Sequence, residues 1–279
     1  MQNKNLKFVF WGTPDVASET LEILKENGYI PLLIVTSPDK KQGRKMILTP
    51  PSVKIWAEKN NIRYIQPEKL NMEDFKKNTD LFIVVAYGKI IPENILNIPK
   101  LGSINIHYSL LPKYRGASPV ESAILNGDTE TGVTIQKMKY KIDSGNIITQ
   151  EKVYILLEEK TSDLRKRLIK IGGELLVKIL PDFINGKTKE TIQNENEATF
   201  SKKIKKEDGL LNLSEDAIKN YNKFRAYALW PRTFFFKNNK RIIITDAVLE
   251  NKQLIIKKVL PEGKKEIKYE DFIKTSTSK

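Results

Sequence analysis

Asn105 and His107 stand two residues apart in Gly102-Ser103-Ile104-Asn105-Ile106-His107, a run whose apolar alternation reads as a β-strand. Side chains at that spacing leave the same face of a strand, so an amide and an imidazole can act together on one atom. Such a pair suits the oxyanion of a tetrahedral intermediate, with the imidazole moving a proton. His107 is the single histidine of the chain. Taken alone, a lone histidine in an apolar stretch reads more readily as a satisfied core residue. The second group with chemical potential is Lys40, Lys41, Arg44 and Lys45, lying between Pro38 and Pro50. Arg44 offers a planar fork for an ordered phosphate or base contact, and the lysines suit diffuse phosphate attraction. A solvated turn accounts for the same charges.

Several chemistries are excluded. The chain has no cysteine, which removes disulfides, thiolate catalysis and a Cys-based zinc site. With one histidine and no carboxylate cluster at ligand spacing, no metal is expected. Gly12-Thr13-Pro14-Asp15 follows the first apolar run, where a dinucleotide-binding enzyme carries its glycine-rich fingerprint. That fingerprint is missing, so a nicotinamide-dependent dehydrogenase is disfavoured and Gly12 serves a tight turn. Lys and Arg number 48 against 34 Asp and Glu, a net charge of +14. From Phe200 to Lys279 we count 19 basic and 10 acidic residues. A polyanion such as nucleic acid is the natural partner of that balance, although a Lys- and Asn-rich composition alone can also produce it. No apolar run approaches a spanning helix or a signal-peptide core, so a cytoplasmic protein away from membranes is expected.

The elements that would hold these residues alternate. Lys7 to Trp11 reads as a strand, and Val16, Leu21, Ile23 and Leu24 recur at helical spacing until Asn27-Gly28. Ile30 to Val35 reads as a strand, Val53 to Lys59 as a helix, Arg63 to Ile65 as a short strand and Leu81 to Ala86 as a buried one. Ile104 to Ile106, Val133 to Met138 and Ile147 to Ile155 continue the sheet, and Leu164 to Leu180 is an amphipathic helix. The pattern predicts an α/β, Rossmann-like, open and mostly parallel sheet over residues 1–187. Residues 188–206 are polar without a clear period and read as a linker. Residues 207–279 hold a helix from Ser214 to Ala226 and strands at Thr233 to Phe236, Arg241 to Thr245 and Gln253 to Leu260. A smaller, OB-like β-barrel domain is expected there.

Asn105-x-His107-x-Ser109-Leu110-Leu111-Pro112, followed by Tyr114-Arg115-Gly116-Ala117-Ser118-Pro119, resembles the folate-dependent formyltransferases. Gly132-Val133-Thr134-Ile135 and Ile142-Asp143-Ser144-Gly145 are similar to the segment in which that family carries its catalytic aspartate, and Ala86-Tyr87-Gly88 to the loop bordering its folate pocket. Pro38 to Lys45, leading into Pro50-Pro51-Ser52-Val53-Lys54, looks like the basic insertion by which tRNA-formylating members engage RNA. Phe10 to Asp15, Trp230-Pro231 and Gly263-Lys264-Lys265 look like further landmarks of those members. Tyr108 departs from the small residue usual at its position.

The resemblance implies a formyltransferase fold and transfer of a formyl group from 10-formyltetrahydrofolate to the α-amine of methionine on initiator tRNA. It implies Asn105, His107 and Asp143 as the catalytic residues, with Asp143 orienting His107 or a water. Read without the resemblance, Asp143-Ser144-Gly145 is an Asx-turn. By the same resemblance Tyr87, Gly88, Ser109, Leu110, Leu111 and Pro112 line the folate pocket, and Lys40, Lys41, Arg44 and Lys45 contact tRNA. A monomer is expected. Two other readings share the motifs: formylation of a small amine, on a purine-pathway ribonucleotide or nucleotide sugar, and a noncatalytic RNA-binding protein on the same fold.

Overall fold

The computed structural model describes residues 6–43, 45–75 and 79–277. The chain divides into two compact units. Unit 1 comprises Met1–Arg115, Gly132–Lys152 and Arg167–Thr199, and unit 2 comprises Gly116–Thr131, Val153–Lys166 and Phe200–Lys279.

Unit 1 begins with the buried strand Phe8–Gly12 (β1) and helix Asp15–Glu26 (α1). Val16, Ala17, Thr20, Leu21 and Leu24 form the buried face of α1, with Asp15 in its first turn and Lys25 in its last, the favourable charge placement for a helix dipole. A Cβ on Gly12 would lie 2.5 Å from Ala17 Cβ and 3.0 Å from the Val85 carbonyl, so close approach of strand, turn and helix requires glycine there. Leu33–Val35 (β2) is shorter than the run that predicted it, because Pro31 has no N–H for a ladder and Leu32 is half exposed. The basic segment is an antiparallel hairpin, Lys40–Gln42 (β3) with Ile47–Thr49 (β4). Then come helix Ser52–Lys59 (α2) and strands Tyr64–Ile65 (β5) and Leu81–Val85 (β6). A short helix Glu93–Leu96 (α3) leads to strand Ser103–His107 (β7), after which lies the two-residue strand Arg115–Gly116 (β8).

In the second unit, helix Pro119–Leu125 (α4) precedes strands Glu130–Lys137 (β9) and Ile147–Tyr154 (β10), whose greater parts belong to unit 1. The seven-stranded sheet runs β10-β9-β7-β6-β1-β2-β5. β5, β2, β1, β6 and β7 are parallel, and β9 is antiparallel to β7. This is the open, mostly parallel α/β sheet expected, and Trp11, Phe75, Phe82 and Val84 form an aromatic-rich core on one side of it. Helix Thr161–Ile184 (α5) starts in unit 2 and continues through unit 1.

Unit 2 also contains Phe200–Ser201 (β11), helix Ala217–Ala226 (α6), strands Phe234–Lys237 (β12), Lys240–Glu250 (β13), Gln253–Pro261 (β14) and Ile267–Lys268 (β15), and helix Tyr269–Thr277 (α7). Its largest sheet is a four-stranded antiparallel ladder, β12-β13-β14-β15, with β12 and β15 at the edges. β13 passes through Asp246, where the sequence pattern breaks, because register shifts on both sides of that residue let the pairing resume. Tyr221, Phe224, Phe235, Ile242, Val259 and Phe272 are among the buried residues of this unit.

Candidate active site

β6 and β7 lie side by side with Val84 opposite Asn105, at the carboxyl ends of parallel strands, where open α/β sheets present ligand sites. Asn105 Nδ2 donates to the Val84 carbonyl at 3.0 Å, and Asn105 Oδ1 accepts from Gln136 Nε2 at 3.4 Å. The amide is therefore held at both ends. Its nitrogen carries two hydrogens, Val84 takes one, and the second remains for a ligand.

His107 is 6% exposed, and its Nε2 lies 2.9 Å from the Tyr114 carbonyl. A carbonyl only accepts, so Nε2 carries the hydrogen. In the neutral ring Nδ1 is then the acceptor, and it faces Asp143 Oδ2 at 3.6 Å, just beyond hydrogen-bond range. A proton arriving at Nδ1 converts this opposition into an ion pair.

Asp143 sits at φ 45° in the turn after β9. Its Oδ1 accepts from Gln136 Nε2 at 2.8 Å. Gln136 is directly across the β7–β9 ladder from Asn105, so one buried amide ties Asn105 to Asp143. Ser144 Oγ and N–H both donate to the Lys141 carbonyl, which tightens the turn. A Cβ on Gly145 would collide with the Lys137 carbonyl, so only glycine lets this turn lie against the strand.

The Asp143 backbone is fixed from behind. Gln193 Nε2 donates to the carbonyls of Asp143 and Gly145 at 2.9 and 2.7 Å. Gln193 Oε1 in turn accepts from Arg115 Nε and Nη2 at 3.0 and 2.8 Å. Arg115 is fully buried, and its two Nη groups reach Glu195 at 3.1 and 2.8 Å. Hydrogen bonds from Arg115 and then Lys141 hold the Glu195 carboxyl down at about 2. The polar stretch of residues 188–199, read from sequence as the start of a linker, thus contains two residues that brace the site.

Sequence pattern assigns no site role to Arg115, Gln136 or Gln193. The one signal for Gln136 is a polar residue in a strand that is otherwise buried, in register with Asn105. For Gln193 there is none, since nothing in a polar segment marks which amide turns inward.

The expected folate-lining residues divide into two groups. Ser109 Oγ donates to the Lys113 carbonyl at 2.6 Å, Leu111 N–H donates to Thr134 Oγ1 at 3.1 Å, and the Leu111 carbonyl accepts from Gln150 at 2.9 Å. Ser109 and Leu111 are buried and their polar groups frame the loop, while Leu110 and Pro112 are half-buried and form its accessible wall. Gly88, at φ 80°, borders open space. Tyr87 differs from expectation: its ring is 2% exposed, edge-on to Trp11 at 5.2 Å, and its hydroxyl has no hydrogen-bond partner among the described residues. Burial pushes that phenol up to about 12. Tyr87→Phe is expected to leave folate affinity unchanged and to hold or raise thermal stability, since it deletes an unsatisfied buried hydroxyl. Weaker folate binding by that variant, measured by fluorescence titration, would give the hydroxyl a ligand role.

Lys40, Lys41 and Lys45 are exposed on or beside the hairpin, and Arg44 lies outside the described residues. Met46, Ile47 and Leu48 are about three-fifths exposed, so the hairpin presents cations and apolar side chains together. Its base is anchored by Asp39, which accepts from Lys54 Nζ and Gln66 Nε2, both at 2.8 Å. These bonds hold the Asp39 carboxyl below the usual carboxylate range. Among the described residues there is no helix long and apolar enough to cross a membrane and no group of three His, Asp or Glu residues arranged for a metal ion.

Comparison with known proteins adds an independent line. A family model described as formyl transferase matches residues 4–180, and one described as formyl transferase, C-terminal domain, matches residues 203–254. A methionyl-tRNA formyltransferase of Halalkalibacterium halodurans is 40% identical over 240 residues, covering 84% of this chain and 76% of the relative. That of Caldicellulosiruptor saccharolyticus is 41% identical over 246 residues, covering 86% and 78%. Among solved structures, methionyl-tRNA formyltransferase from Clostridium thermocellum superposes with a TM-score of 0.63 at 18% identity, over 94% of this chain and 99% of that one. An N-formyltransferase from Helicobacter canadensis, in complex with folinic acid and dTDP-3-aminofucose, gives 0.69 at 23% identity over 88% of each chain. The two structural likenesses speak to the fold.

Proposed function

The chain belongs to the formyl transferase family, and on that premise we propose that it transfers the formyl group of 10-formyltetrahydrofolate to the α-amino group of methionine on initiator tRNA. The observation that carries the reaction class is the tie between Asn105, His107 and Asp143 through Gln136 and the facing Nδ1 and Oδ2 atoms. Identity of about two-fifths with methionyl-tRNA formyltransferases over most of the chain supports the acceptor.

The folate supplies a formyl carbon bonded to nitrogen. When the amine nitrogen bonds to that carbon, negative charge grows on the formyl oxygen, and the second Asn105 N–H is the donor for it. The amine must lose a proton and the departing folate nitrogen must gain one. Nδ1 of His107 takes the amine proton on the Asp143 side, the carboxylate stabilises the imidazolium that results, and the imidazolium gives the proton to the folate nitrogen as its bond to the formyl carbon breaks. Leu110, Pro112 and the loop at Gly88 form the folate wall, with Ser109 and Leu111 holding its shape. Gln193 and Arg115 position Asp143 through its backbone.

For the RNA, the hairpin cations of unit 1 and, separately, residues 207–279 of unit 2 are the proposed contact residues. Not every base in the C-terminal part is free for this: Arg225 is buried against Asn222 and the Glu159 carbonyl, and Arg241 stacks on Phe234 at 3.9 Å. Replacing Lys40, Lys41 and Lys45 together by Ala is expected to weaken tRNA binding. The plot of log affinity against log salt should flatten by about 0.7 to 0.9 for each phosphate that the variant no longer neutralises. Folate affinity should be unchanged. Filter binding across a salt series checks this, and a triple variant with wild-type affinity and slope would make the hairpin a solvated turn. The reaction itself is tested by tetrahydrofolate release, which should require a methionylated tRNA acceptor; equal release without acceptor contradicts the proposal.

A further inference from the structure

A cavity of about 170 Å³ lies within unit 2, lined in part by Lys160, Ser162, Tyr227, Arg232, Thr233 and Thr245. Phe224 and Ile244 form apolar wall. Its polar lining is rich in donors. Lys160 Nζ rests 4.9 Å over the Phe224 ring, and neither Lys160 nor Arg232 is paired with a carboxylate among the described residues. Arg232 is held at φ 65°, with its N–H bonded to the Tyr227 carbonyl at 3.1 Å.

Two hydroxyls make this more than a basic surface. Thr233 is 1% exposed, and its Oγ1 has no hydrogen-bond partner among the described residues; the same holds for the buried Thr245 Oγ1. An unsatisfied buried hydroxyl is costly, and two on residues that line one cavity, beside two cations without a carboxylate partner among the described residues, form a donor set for an acceptor-rich ligand. The 24-residue helix α5 begins at Thr161, so first-turn N–H groups without a helical acceptor lie at the same place. Asp163, exposed there, takes the Ser162 hydroxyl at 3.4 Å and leaves the threonines unengaged. The volume is below the roughly 300 Å³ at which drug-sized ligands begin to fit.

We infer that this cavity is a binding site for a single phosphoryl group, held by Lys160, Arg232, Thr233 and Thr245. A phosphodiester of tRNA or a free phosphorylated small molecule could present that group. The site stands whether or not the reaction proposed above is correct.

The test uses the full-length protein with Thr233→Val, Thr233→Ser and Arg232→Gln variants. Inorganic phosphate at millimolar concentration should raise the Tm of the wild type and of Thr233→Ser, but not of Thr233→Val or Arg232→Gln. In phosphate-free buffer Thr233→Val should melt no lower than the wild type, because it removes an unsatisfied hydroxyl, so its missing response is not a folding defect. If the phosphoryl group is a tRNA phosphodiester, Thr233→Val and Arg232→Gln should also bind tRNA about tenfold more weakly, with the salt slope of Arg232→Gln reduced by about 0.7 to 0.9. If it belongs to a small molecule, the phosphate response disappears while tRNA affinity stays constant. Variants matching the wild type in both phosphate response and tRNA affinity overturn the assignment.

Discussion

Asn105→Ala is expected to slow formyl transfer by about 100- to 1000-fold at saturating substrates, the usual cost of one preorganised oxyanion donor. Folate affinity should change little. The amide is anchored on the Val84 carbonyl and braced by Gln136, so its free N–H is aimed before the charge develops. Its contribution therefore belongs to the transition state more than to the ground state. The fold should survive: the variant leaves the Val84 carbonyl and one Gln136 N–H each short of one bond, at a cost of about 1 to 3 kcal/mol for each. Single-turnover formylation, with folate affinity measured in parallel, is the check. A rate within about threefold of the wild type would remove Asn105 from the oxyanion role.

Asp143→Asn should be of similar or larger size, for a different reason. The Gln136 bond to Oδ1 survives in the amide if its oxygen stays in place. The new NH2 group then faces His107 Nδ1 and, on a slight approach from the 3.6 Å spacing of the carboxylate, donates to it. With Nε2–H committed to the Tyr114 carbonyl, the ring is locked neutral and its remaining lone pair is occupied. No site is left for the amine proton. A loss of about 100- to 10,000-fold, the range for general acid–base contributions, is expected in the rate at saturation, with tRNA and folate affinities retained. Near-normal turnover by Asp143→Asn would mean that a water, not the His107–Asp143 pair, takes the proton.

The sheet was legible because its strands are short apolar runs separated by helices of clear period, a pattern written into each segment locally. Asn105 and His107 were legible as a same-face pair for the same reason. Asp143 was not distinguishable from an Asx-turn by its own neighbours; only the resemblance marked it. What joins them required the fold. The β7–β9 register that sets Gln136 opposite Asn105 depends on an antiparallel pairing between segments about thirty residues apart, which no local pattern encodes. Tyr87 is a different case. A motif position carried an aromatic residue toward the folate pocket on paper, while the packing of Trp11, Phe75 and Phe82 takes its ring into the core. The basic hairpin was visible as charge, but its strand pairing was not, because Lys40 to Gln42 has no apolar alternation to announce it.

The central claim, that this site serves an RNA-linked amine, is tested most directly by comparing acceptors in one assay. Purified wild-type protein and 10-formyltetrahydrofolate would be offered initiator methionyl-tRNA, free methionine, an amino-sugar nucleotide and a ribonucleotide amine, with kcat/KM measured for each. The account predicts that initiator methionyl-tRNA exceeds every small amine by several orders of magnitude, and that Asn105→Ala abolishes most of that activity. A small amine formylated as efficiently as the charged tRNA would contradict it.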